Sequence, residues 1–262
     1  MIPIIPQNAD RNVSARDYKA LDGRLLVSSV FATHQGEGPL VGRPAMFVRL
    51  AGCNYGSKTD FCHFCDTSFQ FDTANAYTPQ ELLDFIMTQG YNKKQILVIT
   101  GGEPTLQLAL LDLIVLAEPM FETIQLETNG TQPKFYLEAV RRKMTKRFVS
   151  VVSPKANVNT GKYPKINNDV LWWANCLKFV ISADPDNPHH EVPDWALESH
   201  KPIYVSPMVI YQKAYMGEVS SIWEDGLVDK VQTAANFQYA AAYALKHSIN
   251  VSIQAHIFLG IA

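Results

Sequence analysis

The sequence predicts an α/β fold built on a mostly parallel sheet, and two observations carry that prediction. Short apolar runs rich in β-branched residues recur along the chain, and amphipathic stretches with helical spacing separate them. Strands that alternate with helices are joined by helical crossovers, which connect parallel neighbours. With 262 residues, of which 47% are hydrophobic, the chain is long enough to bury one sizeable core.

Each element follows from its local pattern. Apolar, β-branched runs predict strands at residues 25–31, 45–50, 95–100, 124–127, 148–152, 177–181, 202–206 and 251–254. Helical spacing predicts helices at residues 79–89, 106–118, 135–143 and 234–247. The least regular stretches are 1–24, 157–168 and 183–200, and none is long enough to be a separate domain. We therefore expect an amino-terminal extension over residues 1–24 and a single domain over residues 25–262.

Composition restricts the classes of function. The net charge is −2 and the pI is near 6.4, whereas a broad grip on nucleic acid needs clustered positive charge. The basic run at 141–147 is predicted to be a solvated helix end, where cations suit the helix dipole. No apolar run reaches transmembrane length, and the start of the chain lacks the basic leader of a signal peptide. These features predict a soluble, cytoplasmic protein with no direct nucleic-acid or membrane partner.

Three cysteines, Cys53, Cys62 and Cys65, fall within thirteen residues, and Cys176 is far away in sequence. The surrounding segment is rich in polar residues, so it is predicted to be a loop. Thiolates select iron–sulfur clusters or zinc, and three ligands leave one coordination position open for chemistry. On this motif alone zinc stays a competitor, with a fourth ligand from His63, His34 or Asp66.

Polar and glycine-rich clusters follow several of the predicted strands. They are Gly101-Gly102-Glu103-Pro104, Glu127-Thr128-Asn129-Gly130-Thr131, Ser153-Pro154-Lys155 and Ser206-Pro207-Met208. In folds of parallel strands the ligand site lies at the carboxyl ends, so these clusters are expected to line one rim. Gly101 and Gly102 would allow the backbone to approach a ligand closely. For each cluster taken alone, an ordinary strand-to-helix turn is the alternative.

A cysteine-rich loop after the first barrel strand, with Gly101-Gly102-Glu103-Pro104 after the second, resembles the radical S-adenosylmethionine superfamily. The resemblance implies a partial (β/α)6 TIM-like barrel with a modified cluster-binding loop. It also implies that Cys53, Cys62 and Cys65 bind three irons of a [4Fe–4S] cluster, whose fourth iron takes S-adenosylmethionine. Eight residues separate Cys53 from Cys62, where most members of the superfamily have three.

Finer motifs resemble the 7-carboxy-7-deazaguanine synthases, which contribute to making queuosine and related deazapurines. Together these motifs extend from about residue 30 to the end of the chain. They are Gln35-Gly36-Glu37-Gly38, Phe47-Val48-Arg49-Leu50-Ala51-Gly52-Cys53, Cys65-Asp66-Thr67, Gly101-Gly102-Glu103-Pro104, Glu127-Thr128-Asn129-Gly130-Thr131, Ser153-Pro154-Lys155 and Gln254-Ala255-His256-Ile257-Phe258-Leu259-Gly260. The amino-terminal extension and the long cysteine loop are unmatched.

This resemblance implies a radical ring contraction of 6-carboxy-5,6,7,8-tetrahydropterin, which expels ammonia and yields 7-carboxy-7-deazaguanine. The cluster and S-adenosylmethionine would supply the radical chemistry, and a Mg2+ ion bound by Thr67 would touch the substrate. A reductant such as flavodoxin or ferredoxin and a homodimeric assembly are implied as well. No side chain is required as a general acid or base in the first step.

The same resemblance implies a set of binding residues. Arg49 is expected to meet the substrate carboxylate through its bidentate guanidinium, with pairing to Glu37 or Asp66 as the alternative. The other residues expected to bind substrate are His34, Gln35, Gly36, Glu37, Thr100, His256 and the terminal Ala262. The residues expected to bind S-adenosylmethionine are Gly102, Glu103, Thr128, Asn129, Ser153, Pro154 and Lys155.

Two other functions remain open from the sequence. A different small radical enzyme, such as an activase that installs a glycyl radical on a partner protein, would retain the cluster. A zinc-binding interaction module would have no cluster and no reaction. The segments Gln35-Gly36-Glu37-Gly38 and Gln254-Ala255-His256 favour the deazaguanine synthases over both alternatives.

Overall fold

The structure is a computed structural model that describes residues 22–55, 62, 74–142, 144, 148–211 and 228–260. Its strands, in chain order, are β1 (Leu25–His34), β2 (Pro44–Leu50), β3 (Asn75–Tyr77), β4 (Ile96–Gly101), β5 (Ile124–Thr128), β6 (Phe148–Val152), β7 (Ala174–Ile181), β8 (Ile203–Pro207) and β9 (Asn250–Val251).

The helices lie between these strands or follow them. They are α1 (Pro79–Thr88), α2 (Leu110–Ala117), α3 (Pro133–Arg141), α4 (Asn168–Trp173), α5 (Asp194–Leu197), α6 (Lys230–His247) and α7 (Ala255–Leu259). Two short 3-10 turns cover Gly38–Leu40 and Pro104–Leu106. Within the described ranges, no helix combines the length and the apolar character that a membrane crossing requires.

All of these strands belong to one sheet with the order β3-β1-β2-β4-β5-β6-β7-β8-β9. β1 is antiparallel to β2 and β3, whereas each pair from β2 to β9 is parallel. From β2 onward, neighbours in the parallel part also follow one another in the chain, and each connection contains a helix. The predicted α/β fold is confirmed, and the parallel strands β2 and β4 to β8 are compatible with a partial (β/α)6 barrel.

Both faces of the parallel sheet are covered, as the apolar runs in the sequence predict. In β4, the residues from Ile96 to Ile99 are all buried. Leu97 and Ile99 join the main core, whereas Ile96 and Val98 pack in a separate cluster with Ala45 of β2. Successive side chains of a strand point to opposite faces, so a continuous apolar run is what a strand covered on both faces requires.

The start of α1 shows how local sequence sets a helix boundary. The Thr78 hydroxyl accepts a hydrogen bond from the Glu81 amide, and the Glu81 carboxylate accepts one from the Thr78 amide. This reciprocal capping box satisfies amides that the helix itself leaves unpaired, and Pro79 at the first position costs no helical hydrogen bond. The apolar side chains of Leu82 and Ile86 then fall on the buried face of the helix.

Several predicted boundaries are wrong; for example, the helix predicted at 234–247 begins at Lys230, and the strand predicted at 25–31 extends to His34. In two further elements a specific contact explains the difference. The helix predicted at 106–118 begins only at Leu110, because the Gln107 side chain accepts from the Leu26 amide at 2.7 Å and donates to Ala51 O at 3.1 Å. The strand predicted at 251–254 ends at Val251. The hydroxyl of the next residue, Ser252, accepts a hydrogen bond from the Gly38 amide. Contacts between distant segments therefore decide both boundaries.

Four short elements have no counterpart among the predictions, namely β3, α4, α5 and α7. The longest of them contains 6 residues. A segment of that length covers less than two helical turns, so it shows no periodic pattern that separates it from a loop. Of these elements, α7 matters most for the site, because it carries His256.

Candidate active site

A cavity of about 460 Å³ opens at the carboxyl ends of the parallel strands. Successive strands contribute to its wall, beginning with Arg49 of β2 and Thr100 of β4. Thr128 ends β5, Ser153 follows β6, and Pro207 ends β8 at the same cavity. The clusters that follow the strands in the sequence are therefore brought to one rim, as parallel strand topology requires.

Most of the residues singled out from the sequence line this cavity. They are His34, Gln35, Gly36, Glu37, Arg49, Cys53, Cys62, Thr100, Gly102, Thr128, Asn129, Ser153, Lys155 and His256. Glu103 and Pro154 are buried and do not line it. Cys65, Thr67 and Ala262 lie outside the described residues, so their predicted roles stay predictions.

The cysteine side of the cavity is packed tightly against the end of β4. A Cβ added to Gly102 would lie 2.0 Å from Gly52 O and 2.8 Å from Cys53 Cβ. The Glu103 amide donates a hydrogen bond to Gly52 O at 2.8 Å. Only glycine at position 102 permits this approach, because any side chain would separate the strand end from the segment that presents Cys53.

Tyr55 lies beside both described thiols of the loop. Its backbone amide donates to Cys53 Sγ at 3.3 Å. Burial first, and then nearby Cys62, Glu103 and Cys53, together raise the pKa of the Tyr55 phenol to about 12. The phenol therefore stays protonated at neutral pH and places no additional negative charge beside the cysteines.

The carboxylate of Glu103 joins the ends of β4 and β5. It accepts hydrogen bonds from the Thr128 hydroxyl at 2.7 Å, from the Asn129 amide at 2.6 Å and from the Thr105 amide at 3.1 Å. Burial raises the pKa of this carboxyl, against the opposing effect of these donors. Its role at the amino group of S-adenosylmethionine stays a prediction, because the carboxylate fixes the walls of the cavity without lining it.

A buried lysine connects two carboxylates on another wall. The ammonium of Lys178, in β7, donates to Glu127 Oε2 at 2.9 Å and contacts Glu37 Oε2. Burial alone would raise the pKa of Glu37, but Lys178 and then His256 outweigh it and lower that pKa from 4.5 to about 2. Burial would lower the pKa of Lys178, yet Glu127 and Glu37 raise it above its ordinary value. Glu37 and Lys178 are therefore both charged at neutral pH.

Arg49 lies next to the aromatic part of the wall. Its guanidinium carbon is 5.4 Å from the centroid of the Phe31 ring, within the range of a cation–π interaction. Phe31 in turn stacks on Phe47, with 5.2 Å between centroids. Arg49 pairs in register with Thr100 of β4, another cavity residue. This arrangement presents a cation and a flat apolar surface to the same ligand volume.

The carboxyl-terminal segment folds back onto the loop after β1. The Ala255 amide donates to Gly36 O at 2.9 Å, and the Gly38 amide donates to the Ser252 hydroxyl at 2.8 Å. These two bonds place His256, at the start of α7, on the cavity wall. His256 thus lies beside the segment Gln35-Gly36-Glu37-Gly38, and its role in binding substrate stays a prediction.

Several cavity residues were missed from the sequence. Lys178 carries charge, Thr33 carries a hydroxyl, and the others are the aromatic and apolar residues Phe31, Phe47, Tyr55, Val180, Val209 and Tyr211. Glu127, by contrast, was expected at this rim as part of the cluster Glu127-Thr128-Asn129-Gly130-Thr131. A signal existed for Lys178, because a lysine interrupts the otherwise apolar run 177–181, and burying it requires partners. The aromatic residues gave no such signal, since aromatic side chains in strands are ordinary core residues.

The residues of the cavity fit an iron–sulfur cluster with a bound sulfonium cofactor. Cys53 and Cys62 both line it, and their soft thiolates suit iron. Next to them, Gly102 leaves backbone accessible, and Asn129, Ser153 and Lys155 line the cavity with polar groups. Such groups can bind the amino, carboxylate and ribose parts of a nucleoside that is joined to an amino acid through a sulfonium.

Comparison with known proteins agrees with this geometry. Residues 48–156 match the model of the Radical SAM superfamily. The chain is 32% identical over 244 residues to the 7-carboxy-7-deazaguanine synthase of Rickettsia prowazekii, covering 91% of this chain and 89% of that protein. It is 33% identical over 180 residues to the synthase of the same name from Escherichia coli K12, covering 61% of this chain and 73% of that protein.

A solved structure shares the fold. The crystal structure of QueE from Escherichia coli superposes with a TM-score of 0.58 at 21% identity, covering 94% of this chain and 100% of the other. At that identity the likeness bears on the architecture alone.

Proposed function

We propose that this chain, which belongs to the 7-carboxy-7-deazaguanine synthase family of radical S-adenosylmethionine enzymes, converts 6-carboxy-5,6,7,8-tetrahydropterin to 7-carboxy-7-deazaguanine with release of ammonia. The observation that carries the proposal is the convergence on one cavity of two cysteines, an arginine and two carboxylates joined by a buried lysine. The product serves queuosine or a related deazapurine.

Membership of this family implies a [4Fe–4S] cluster and S-adenosylmethionine as cofactors. We assign the cluster to Cys53, Cys62 and Cys65, since three thiolates leave one iron open for the cofactor. When bound, these two groups supply a radical, which forms by one-electron cleavage of S-adenosylmethionine and takes a hydrogen atom from the substrate. The protein's part would be to hold the substrate beside the cofactor and to exclude water from both.

The substrate has two ends of different chemistry. Its carboxylate suits Arg49, whose planar guanidinium offers two parallel N–H donors beside the Phe31 ring. Its aminopyrimidinone edge presents adjacent N–H donors, which suit the ionised carboxylate of Glu37 and the amide of Gln35. His34, Gly36, Thr100 and His256 complete the proposed binding surface.

S-adenosylmethionine is assigned to the opposite part of the rim. Lys155 Nζ donates to Ser153 O at 2.8 Å and to Ser153 Oγ at 2.6 Å, which fixes the ammonium within the cavity wall. A fixed ammonium beside a hydroxyl is suited to the cofactor's carboxylate or ribose. Gly102, Thr128 and Asn129 lie on the same rim, and Glu103 and Pro154 support it from behind.

Other parts of the proposal concern groups beyond the described residues. We assign a Mg2+ ion to Thr67, with water and substrate oxygens completing its octahedron, because a single neutral oxygen holds this ion weakly. Ala262 is assigned to the substrate site, which agrees with the docking of α7 beside Gly36. A flavodoxin or ferredoxin as reductant and a homodimeric assembly complete the proposal.

An anaerobic assay tests the reaction directly. The reconstituted protein is incubated with a reductant, S-adenosylmethionine, Mg2+ and 6-carboxy-5,6,7,8-tetrahydropterin, and the products are identified by mass spectrometry. We expect 7-carboxy-7-deazaguanine and ammonia to form, with a requirement for the cofactor and the reductant. Cofactor cleavage without conversion of the pterin would point to a different radical enzyme, and zinc without iron would contradict the cofactor assignment.

A further inference from the structure

We propose that Lys178 is a positioning residue for the substrate, which fixes the carboxylate of Glu37 toward the cavity by anchoring it to Glu127. This inference rests on the proposed function, because it specifies how that function's substrate edge is recognised. Lys178 and Glu37 lie on different parts of the fold. Lys178 is inside β7, whereas Glu37 is on the loop between β1 and β2. The lysine therefore connects a loop to the barrel wall.

The anchor is built mainly on β5, with one contact from the loop after β1. Glu127 Oε2 accepts from Lys178 at 2.9 Å, and Glu127 Oε1 accepts from the side-chain amide of Gln125 at 2.5 Å. The Gln35 side-chain amide adds a longer bond to Glu127 Oε1 at 3.4 Å. Gln125 is fully buried, and Glu127 and Gln125 belong to the same strand, β5. With donors on both of its oxygens, Glu127 is held in one orientation.

Because Lys178 is held by Glu127, it also restrains the orientation of the Glu37 carboxylate. Its ammonium contacts Glu37 Oε2, and its side chain is only 9% exposed, so water cannot replace either partner easily. The loop itself supplies one more restraint, since the Glu37 amide donates to Gln35 Oε1 at 3.1 Å. Glu37 therefore presents an ionised, oriented acceptor to the cavity, as the adjacent N–H donors of an aminopyrimidinone require.

Removing the lysine leaves two carboxylates that had shared one ammonium. Like charges in a buried site repel, so either one carboxylate takes up a proton or Glu37 turns away from Glu127. Both responses spoil the acceptor that the substrate edge needs. Neither response should change the rim that is assigned to S-adenosylmethionine. Lys155 there donates its hydrogen bonds to Ser153, and these bonds involve neither Glu37 nor Glu127.

The test is an anaerobic calorimetric titration of the reconstituted protein with 6-carboxy-5,6,7,8-tetrahydropterin, with S-adenosylmethionine present and reductant omitted so that no turnover occurs. We expect Lys178→Met to weaken substrate binding by about ten- to a hundredfold, the range known for groups that orient metal-binding side chains. Binding of S-adenosylmethionine should change by less than about threefold, well inside the tenfold that 1.4 kcal/mol represents. Lys178→Arg, which keeps the charge, should recover part of the loss.

A double-variant cycle separates positioning from general damage. In a Glu37→Gln background, where the carboxylate is already gone, Lys178→Met should add little further loss of substrate affinity. Lys201→Met is the control, because Lys201 donates to backbone, at Ala174 O (2.8 Å), rather than to a carboxylate, and lies outside the cavity wall. That control should bind substrate as the native protein does.

Several outcomes would overturn the inference. Native substrate affinity in Lys178→Met would do so, as would additive losses with Glu37→Gln or equal losses of substrate and cofactor affinity. If Lys178→Met fails to fold, the same titration is carried out on Glu127→Gln. This variant weakens the contact between Glu127 and Lys178, so it should still bind substrate less tightly, and native substrate affinity in it would contradict the inference. Failure of the native protein itself to bind the pterin would instead contradict the proposed function along with this inference.

Discussion

The imidazole of His256 occupies the space that a side chain on Gly36 would need. A Cβ built on Gly36 lies 2.0 Å from His256 Nδ1 and 2.8 Å from Cγ of the same ring. The Ala255 amide donates to Gly36 O at 2.9 Å beside this contact. Residues separated by most of the chain are thus packed against each other, and the absence of a side chain at position 36 makes that packing possible.

Gly36→Ala should displace the His256 ring and loosen the carboxyl-terminal segment from the cavity. We expect substrate affinity to fall about tenfold or more, because the new methyl group cannot coexist with the present position of the imidazole, and overpacking costs about 1–3 kcal/mol. The measurement is substrate titration together with thermal unfolding. In a His256→Ala background the substitution at Gly36 should have a much smaller effect, and equal effects in both backgrounds would contradict the explanation.

Gly102→Ala should separate the end of β4 from the cysteine loop. Its methyl group would meet backbone at 2.0 Å, at Gly52 O, so we expect about 2 kcal/mol of destabilisation and a reduced iron content after anaerobic reconstitution. Gly161→Ala is the control, because open space surrounds that position and its cost comes only from a φ of +65°, about 1 kcal/mol. Native iron content in Gly102→Ala would show that the close approach is dispensable.

Replacing any one of Cys53, Cys62 or Cys65 by alanine should abolish cleavage of S-adenosylmethionine and lower the bound iron. A cluster with only two thiolate ligands has no stable attachment and no defined open iron. Iron and sulfide analysis and the visible absorption of the reconstituted protein measure the effect. Cys176→Ala should retain its iron, because that thiol is buried in β7 and does not line the cavity. Full activity in any of the first three variants would remove that residue from the ligand set.

Arg49→Ala should weaken substrate binding far more than cofactor binding. Hydrogen bonds to charged groups contribute about 1.5–3 kcal/mol, which corresponds to roughly a ten- to hundredfold loss of substrate affinity. Separate titrations with each ligand measure the two effects. Arg43→Ala serves as a control, since Arg43 forms an exposed pair with Glu122 at 2.8 Å. Equal losses for substrate and cofactor would contradict the assignment of Arg49 to the substrate carboxylate.

Stability should depend on Glu37 between pH 4.5 and pH 2. The pKa of Glu37 is raised by burial but lowered more by Lys178, so it falls from 4.5 in the unfolded chain to about 2 in the folded protein. Its ionised form therefore favours folding above pH 4.5, and this contribution is lost as the pH falls toward 2. The difference in unfolding free energy between the native protein and Glu37→Gln, measured with urea, should shrink over that range.

Glu103 provides the opposite case in the same measurement. Burial raises the pKa of this carboxyl above 4.5, so its contribution to stability is present below that pH and is lost as the pH rises. The native protein should therefore gain stability relative to Glu103→Gln on acidification, while it loses stability relative to Glu37→Gln. If the stability differences for the two variants changed with pH in the same direction, the proposed difference between the surroundings of Glu37 and Glu103 would be wrong.

The regular elements were largely predictable, and the reason is local. The strand at 148–152 coincides with β6, and the helix predicted at 79–89 extends one residue beyond α1. A buried parallel strand needs a continuous apolar run, and a helix start needs its capping residues, so both leave a mark in a few consecutive positions. The start of α2 and the end of β9 left no such mark, since Gln107 and Ser252 bond to segments far away in the chain.

The sequence by itself determined the kind of chemistry: three thiols with one vacant position, glycines at strand ends and polar clusters after parallel strands. Spacing along the chain is enough to predict three soft ligands beside parallel strands, because thiol spacing and the alternation of strands and helices are local properties. Spacing alone left iron and zinc both open. Only the tertiary structure decided that Lys178 holds Glu37 against Glu127 and that His256 fills the space beside Gly36. Charge pairing and close packing depend on distances between remote segments, and folding alone sets those distances.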